Sequence, residues 1–300
     1  MELVTINDVG PRDGLQNDAT AVSPEDRSAL VNKLVDAGLP AVEVASFVSP
    51  KAVPKMAGAQ AVVSALDLDR ADFSALVPNR QGYELAKKAG IRSIAVVLSA
   101  TDTMNRKNIN MDLDTTVRVC EEILQQARKD GMTPRAYLSV AVQCPYEGLV
   151  PEQRIEQLAK RMYDAGAKEV IVADTIGAAN PAQVKSLFTR LVTSFGTNTL
   201  SAHFHDTRAL ALANTWQALE CGIRKFDSSI GGLGGCPFAP GAAGNLATED
   251  LASLLDQAGF HTGIDMKKLL DVVEYTRDLV GHDLGGRSLL WQIGNTTQVA

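Results

Sequence analysis

Short apolar runs alternate with longer amphipathic segments along most of the chain. The runs at 4–9, 41–47, 72–77, 93–99, 135–142, 169–173, 200–205 and 225–229 are rich in Val, Ile, Leu and Ala at consecutive positions. Apolar residues on both faces predict buried parallel strands rather than half-solvated antiparallel ones. The segments between them carry helix signals. Ser23-Pro24-Glu25-Asp26 supplies a capping Ser, a Pro in the first turn and two acids near the N-terminus. Asn180-Pro181-Ala182-Gln183 has the spacing of a capping box. Gly38, Gly90, Gly131, Gly166 and Gly222 each follow a helical pattern, where a left-handed residue ends a helix. Four of them sit in similar wording, DAGL, KAGI, DAGA and ECGI, just ahead of a strand. Eight such βα units predict a (β/α)₈ TIM barrel, with a doubly wound sheet as the alternative. The barrel would close near residue 229, leaving its last helix and an extra C-terminal helical segment at about 265–300. Periodicity is clear over 265–280 and weak from 281 onwards.

Composition narrows the class. The chain has 300 residues, 45% hydrophobic and 21% charged, which is ordinary for a globular protein. A single barrel domain can use all of that length. Its aliphatic runs fall far short of the roughly 20 residues a membrane helix needs. The first residues show neither a basic-then-apolar signal sequence nor an Arg-rich transit segment. A net charge of −6 disfavours a nucleic-acid binder. The four cysteines, at 120, 144, 221 and 236, form no CxxC pair. They predict a reduced, cytoplasmic protein, with Cys120 and Cys221 as packing residues within helices.

Barrel enzymes work at the C-terminal ends of their strands, and the unusual polar residues gather there. His203 and His205 are two of only four histidines. At i and i+2 on a strand they share one face, so both rings can converge inside the barrel mouth. A lone pair of histidines is as compatible with packing as with metal binding. Oxygen donors at neighbouring strand ends favour the metal. Asp13 is the best carboxylate partner, because the first strand of a closed barrel lies beside the eighth and near the seventh. Two imidazoles with oxygen ligands suit Mg²⁺, Mn²⁺ or Co²⁺ with open positions, not a closed structural zinc site. Arg12 precedes Asp13, is expected to project in a different direction, and suits an anionic carboxylate or a developing enolate. Cys236 sits in a glycine-rich loop after the eighth strand, where its thiol can act as acid, base or nucleophile. That loop is not a phosphate-binding loop, because it lacks Gly-Lys-Ser/Thr and GxGxxG.

The segments GPRDGLQN at 10–17, SFVSPK at 46–51, KNIN at 107–110, CPYEG at 144–148, DTIG at 174–177, HFHDT at 203–207, GGLGGCP at 231–237 and GNLATEDL at 244–251 together resemble the 3-hydroxy-3-methylglutaryl-CoA (HMG-CoA) lyase family. That family lies within the metal-dependent barrels that include isopropylmalate synthase. The likeness runs from about residue 4 to residue 280. It implies a barrel that cleaves HMG-CoA to acetyl-CoA and acetoacetate with Mg²⁺ or Mn²⁺, in leucine degradation or ketone-body metabolism. The implied metal ligands are Asp13, His203, His205 and Asn245, the last opening the helix after the glycine loop. Arg12 would stabilise the acetyl-CoA enolate and Cys236 would deliver its proton, with Asp13 and His203 as alternative bases. Glu43 and Asp174 would be supporting polar residues near the metal. Gln16 would contact substrate, and Asn108, Arg135 and Tyr137 the CoA arm. A homodimer is implied as well. Asp8 departs from the pattern, standing where the family usually has Glu.

The same metal and thiol would serve a related tertiary 3-hydroxyacyl-CoA such as citramalyl-CoA. A Claisen synthase of the isopropylmalate type is disfavoured by GGLGGCP and by the lack of room for a regulatory domain. A non-catalytic metal-binding barrel would show broken site residues, and none is broken. Cys236→Ala should cut turnover by orders of magnitude with metal affinity intact; unchanged turnover in a steady-state assay would remove the proton-donor role.

Overall fold

The structure is a computed structural model and describes residues 1–235 and 244–296. Among these residues eight parallel strands close into a barrel. They are β1 (Thr5–Asp8), β2 (Ala41–Ser46), β3 (Asp72–Leu76), β4 (Ser93–Ser99), β5 (Thr133–Ser139), β6 (Glu169–Asp174), β7 (Leu200–Phe204) and β8 (Lys225–Ser228). Neighbours follow chain order, and β8 hydrogen-bonds to both β7 and β1. That closure is the expected TIM barrel and excludes the doubly wound sheet, which would leave two edges. One strand face meets the helices and the other fills the barrel, which is why every residue of β2 is buried.

The helix signals act as their chemistry requires. The Ser23 hydroxyl accepts from the Asp26 amide at the start of the helix Pro24–Asp36. Asn180 and Gln183 form a reciprocal capping box at the helix Pro181–Phe195. The five predicted helix-ending glycines all have positive φ. Gly38 is doubly constrained, because its φ is +95° and a Cβ would lie 2.3 Å from the Gly263 carbonyl oxygen.

Three expectations need correction, and the C-terminal helical segment gains detail. The fifth strand stops at Ser139 rather than running to 142, because Val140 has φ +51° and leaves the ladder. Its amide is taken by the Thr175 hydroxyl, and residues 143–144 and 148–149 form a small antiparallel ribbon. Cys221 is only half-buried and caps the helix Ala211–Glu220 rather than lying within it, while Cys120 is buried as expected. After the barrel helix Thr248–Gln257 and the predicted helix Met266–Val280 comes another, Leu289–Thr296, where periodicity is weak. The turn before it is held by carboxylates. Glu249 accepts the Gly286 amide, and Asp250 accepts the amides of Arg287 and Ser288. Such anchoring leaves no trace in hydrophobic spacing.

The third correction concerns Arg135. It lies near the start of β5, in register with Glu169, the first residue of β6. At about 3.3 Å per residue, four residues separate it from the C-terminal end by about 13 Å. Its guanidinium pairs with Asp72 and Glu169, first residues of β3 and β6, and Lys225 also reaches Glu169. Arg135 therefore closes the bottom of the barrel and cannot touch a CoA arm at the mouth. Among the described residues no helix is long and apolar enough to cross a membrane.

Arg135→Met should lower unfolding free energy by about 1–3 kcal/mol, below the 3–5 of a fully buried pair because Asp72 is half-exposed. KM for the acyl-CoA substrate that the resemblance implies should stay within about twofold, because no uniform binding contact is lost. Urea titration and steady-state kinetics on the same preparation check both.

Candidate active site

Beyond β1 the chain enters a wide π-type turn, Gly10–Gly14, in which the Val9 carbonyl accepts the amides of Asp13 and Gly14. Such turns recur at functional sites because they reorient side chains at the end of a regular element. Gly14 allows the turn to lie against the eighth-strand loop, since a Cβ there would meet the Leu233 Cβ at 2.8 Å. The turn overturns the expectation that Arg12 and Asp13 diverge. Arg12 Nη1 donates to Asp13 Oδ1 at 2.7 Å, while Arg12 Nε donates to Glu43 Oε1 on β2. Consecutive residues would diverge on a strand; here the long guanidinium stem curls back over its neighbour.

Asp13 meets His203 and His205 in the mouth of the barrel. One potential ligand atom from each lies within 4.8 Å of the other two. Asn245 completes the group, but not by opening a helix. It pairs with His205 in an antiparallel bridge, three residues before the helix Thr248–Gln257. Asn245 Nδ2 donates to Asp13 Oδ2 and to the Leu233 carbonyl, both at 3.0 Å. Its Oδ1 is buried without a partner, and so is His205 Nδ1. Orphaned buried acceptors cost folding free energy unless something fills them.

Burial alone would raise the Asp13 carboxyl, but Arg12 and the two imidazoles outweigh it and hold it down at about 2. Burial and the neighbouring His203 push His205 down to about 4, so it stays neutral and able to ligate at pH 7. Burial alone would lower His203, but the hydrogen bond and charge of Asp227 outweigh it and raise it. Asp13, Glu43 and Asp227 outnumber Arg12 and leave an excess of negative charge in this interior even with His203 charged. Paired nitrogen and oxygen donors, orphaned acceptors and that excess fit a divalent cation.

Asp227 is the residue the sequence reading missed. It lies on β8 in register with His203, and its Oδ2 is 3.1 Å from His203 Nδ1. The available signal was an acid inside the buried run Lys225-Phe226-Asp227-Ser228. Tyr137 requires a related correction. It lies at the floor of the cavity rather than on a CoA arm, with its hydroxyl 2.8 Å from Asp227 Oδ2 and 2.9 Å from Glu43 Oε2. A mid-strand residue on the inner face points into the barrel, not over its rim. Asp174, close enough to His203 to feel its charge, accepts the Ala178 and Ala179 amides through its two oxygens and holds the β6 loop. Gln16 and Asn108 do line the cavity, of ≈ 200 Å³, with Arg12, Asp13 and both histidines. Val48, Leu76, Met104 and Ile109 form an apolar wall there. Cys236 lies outside the described residues; Gly235, just before it, reaches the cavity and accepts from Asn17 Nδ2.

Residues 3–275 match the HMGL-like family. The chain belongs to the HMGL-like family. A hydroxymethylglutaryl-CoA lyase of Bacillus subtilis is 42% identical over 287 residues, covering 95% of this chain and 96% of that protein. An (R)-citramalyl-CoA lyase of Chloroflexus aurantiacus is 40% identical over 297 residues, 95% and 93% of the two chains. An HMG-CoA lyase structure from Acinetobacter baumannii, in complex with coenzyme A and 3-methylmalate, superposes with a TM-score of 0.91. It is 35% identical, covering 95% and 94% of the two chains.

Asp8 sits behind the site. Asp8 is fully buried and accepts from the Gly10 amide and the Thr248 hydroxyl. Burial raises its carboxyl to about 7, and burial likewise raises nearby Glu249 to about 7. An acid raised in the folded state keeps a proton that the unfolded chain releases above its ordinary range. Stability is therefore fully present below about pH 4 and is lost as pH rises through 7. Asp8→Asn should remove one such proton, flattening the slope between pH 5 and 7 by about 1.4 kcal/mol per pH unit. Urea unfolding across that range measures it; an unchanged slope would contradict the assignment.

Proposed function

We propose that this chain is a divalent-metal-dependent carbon–carbon lyase that cleaves HMG-CoA to acetyl-CoA and acetoacetate. What carries the reading is the arrangement at the barrel mouth. Asp13, His203, His205 and Asn245 converge with unpartnered acceptors, and Arg12 stands beside them. The 42% identity to a hydroxymethylglutaryl-CoA lyase over 95% of the chain supports the substrate. Coenzyme A in the related A. baumannii structure supports an acyl-CoA ligand.

Asp13, His203, His205 and Asn245 would hold Mg²⁺ or Mn²⁺. Bound there, the cation supplies Lewis acidity that lowers the pKa of a coordinated alcohol. The chain's own residues do the rest. Asp13, kept ionised beside Arg12, takes the proton of the substrate C3 hydroxyl; His203, with one nitrogen for the metal and the other bonded to Asp227, has no lone pair left for that role. The C2–C3 bond then breaks; C3 becomes the ketone of acetoacetate, and the bonding pair passes to C2 as the acetyl-CoA enolate. Arg12, fixed through Nε and Nη1, stabilises that charge without reorganising. The Cys236 thiol returns a proton to C2, giving acetyl-CoA. Gln16 and Asn108 position the acyl chain and thioester arm. The barrel and its C-terminal helices would act as one catalytic domain of a cytoplasmic homodimer or other homo-oligomer.

Citramalyl-CoA is the second reading, favoured by the 40% identity to a citramalyl-CoA lyase over nearly the whole chain. A coupled assay of purified protein against HMG-CoA, citramalyl-CoA and longer branched analogues, with and without Mg²⁺ or Mn²⁺, decides between them. HMG-CoA should be cleaved with the highest kcat/KM, and chelator should abolish turnover. No product from HMG-CoA under either metal would sink the leading assignment.

A further inference from the structure

The lyase reading uses Arg12, Asp13, both histidines, Asn245 and Cys236, but leaves a fully buried set of polar groups unexplained. An unbroken chain of contacts runs beneath the site from the metal-ligand cluster to the guanidinium. His203 Nδ1 is 3.1 Å from Asp227 Oδ2. The Tyr137 hydroxyl is 2.8 Å from that same oxygen and 2.9 Å from Glu43 Oε2. Glu43 Oε1 accepts from Arg12 Nε, and Arg12 Nη1 returns to Asp13 Oδ1 at 2.7 Å. Asp227 is itself pinned from β1, where Asn7 Nδ2 donates to its Oδ1 at 2.8 Å. The chain starts at His203 and ends at Asp13, and both belong to the metal-ligand cluster.

Each link has a geometric cause. Asp227 and His203 are register partners on adjacent strands. Tyr137 stands on β5, across the barrel from β8 and β2, so its phenol spans the interior to reach both carboxylates. It also meets the His203 ring edge-on, with centroids 6.1 Å apart and planes at 87°. These residues are buried, and packing alone could have used apolar side chains at every one of their positions. Buried polar groups that form a fully connected network instead fix one arrangement of the groups at its ends.

We propose that Asp227 and Tyr137 are the positioning residues of this site: Asp227 fixes the His203 ring with Nδ1 protonated and Nε2 free for the metal, and Tyr137 ties Asp227 through Glu43 to Arg12. Histidine ligands are oriented in this way by carboxylates on their second nitrogen. The phenol makes the separation between metal and guanidinium a property of the barrel interior, not of the loops that carry Asp13 and Arg12. The inference rests on the lyase reading for Arg12. Its first half concerns only the ring and its metal.

The test has two arms. ¹⁵N-histidine NMR of the full chain, with and without Mg²⁺, reads the tautomer directly, and four histidines make assignment tractable. Wild-type His203 should carry its proton on Nδ1 and show a shift on Nε2 when Mg²⁺ is added. With Mg²⁺ bound, a proton on Nε2, or none on Nδ1, overturns the proposal without needing any variant. In the second arm Mn²⁺ is titrated into Asp227→Asn and Tyr137→Phe. Asp227→Asn should bind Mn²⁺ about 10–100-fold more weakly and lose the Nδ1-protonated signature. Tyr137→Phe should keep Mn²⁺ affinity within about threefold and the wild-type tautomer, because it is neither a ligand nor its direct partner. Its kcat should fall about 10–100-fold at unchanged KM, as displacement of a transition-state contact requires. Unchanged Mn²⁺ affinity in Asp227→Asn, or unchanged kcat in Tyr137→Phe, would reject the corresponding half. If the wild type fails to cleave HMG-CoA while the tautomer and Mn²⁺ results hold, the lyase reading has failed and the positioning of His203 stands.

Discussion

A guanidinium held between two carboxylates inside the barrel is the interaction on which the rest of this structure depends. Arg12 is buried, and an arginine there is tolerable only because Glu43 and Asp13 meet it on two nitrogens. That pairing dictates the wide turn after β1, since only a turn brings consecutive side chains together. It also demands that Glu43 be held, which the Tyr137 hydroxyl does, and that Tyr137 find support from Asp227. Each buried polar group thus calls for the next until the chain returns to the histidines.

The same electrostatics explain why the mouth suits a cation. The carboxylates outnumber the single guanidinium, and the interior offers them little water. His205, held neutral by burial, contributes a lone pair rather than charge. Metal affinity here would be folding free energy as well as binding free energy, because the acceptors left bare at Asn245 and His205 are stabilised by whatever fills them. The opposite end of the barrel solves its own charge problem with protein groups alone, through Arg135, Asp72, Glu169 and Lys225. One end is chemically closed and the other is open to a ligand, as barrel enzymes are built.

The barrel was legible in the sequence because burial on both strand faces writes itself as runs of Val, Ile and Ala, and because helix caps use few residue types. The paired histidines and Asp13 were legible because strand periodicity and barrel adjacency are enough to bring them together. Arg135 and Tyr137 were misplaced because motif matching gives a residue's neighbours in sequence but not its height along the barrel axis. Two residues along β5 separate a floor-closing arginine from a tyrosine beneath the metal cluster. Asp227 was overlooked because a lone acid in a strand gains its meaning only from the partner strand's register. The amides that Asp174 holds were not legible, because such bonds carry no spacing signature. The turn at 286–288 is tied by carboxylates of a distant helix, which periodicity cannot reveal.

The central claim is that one divalent cation sits between Asp13, His203, His205 and Asn245. Anomalous diffraction at the manganese edge from crystals grown with Mn²⁺ tests it most directly. The account predicts one strong peak at the C-terminal mouth of the barrel, within about 2.0–2.3 Å of a nitrogen of each histidine and an oxygen each of Asp13 and Asn245. No peak there at saturating Mn²⁺, or a peak that leaves Asp13 or either histidine unligated, would contradict it.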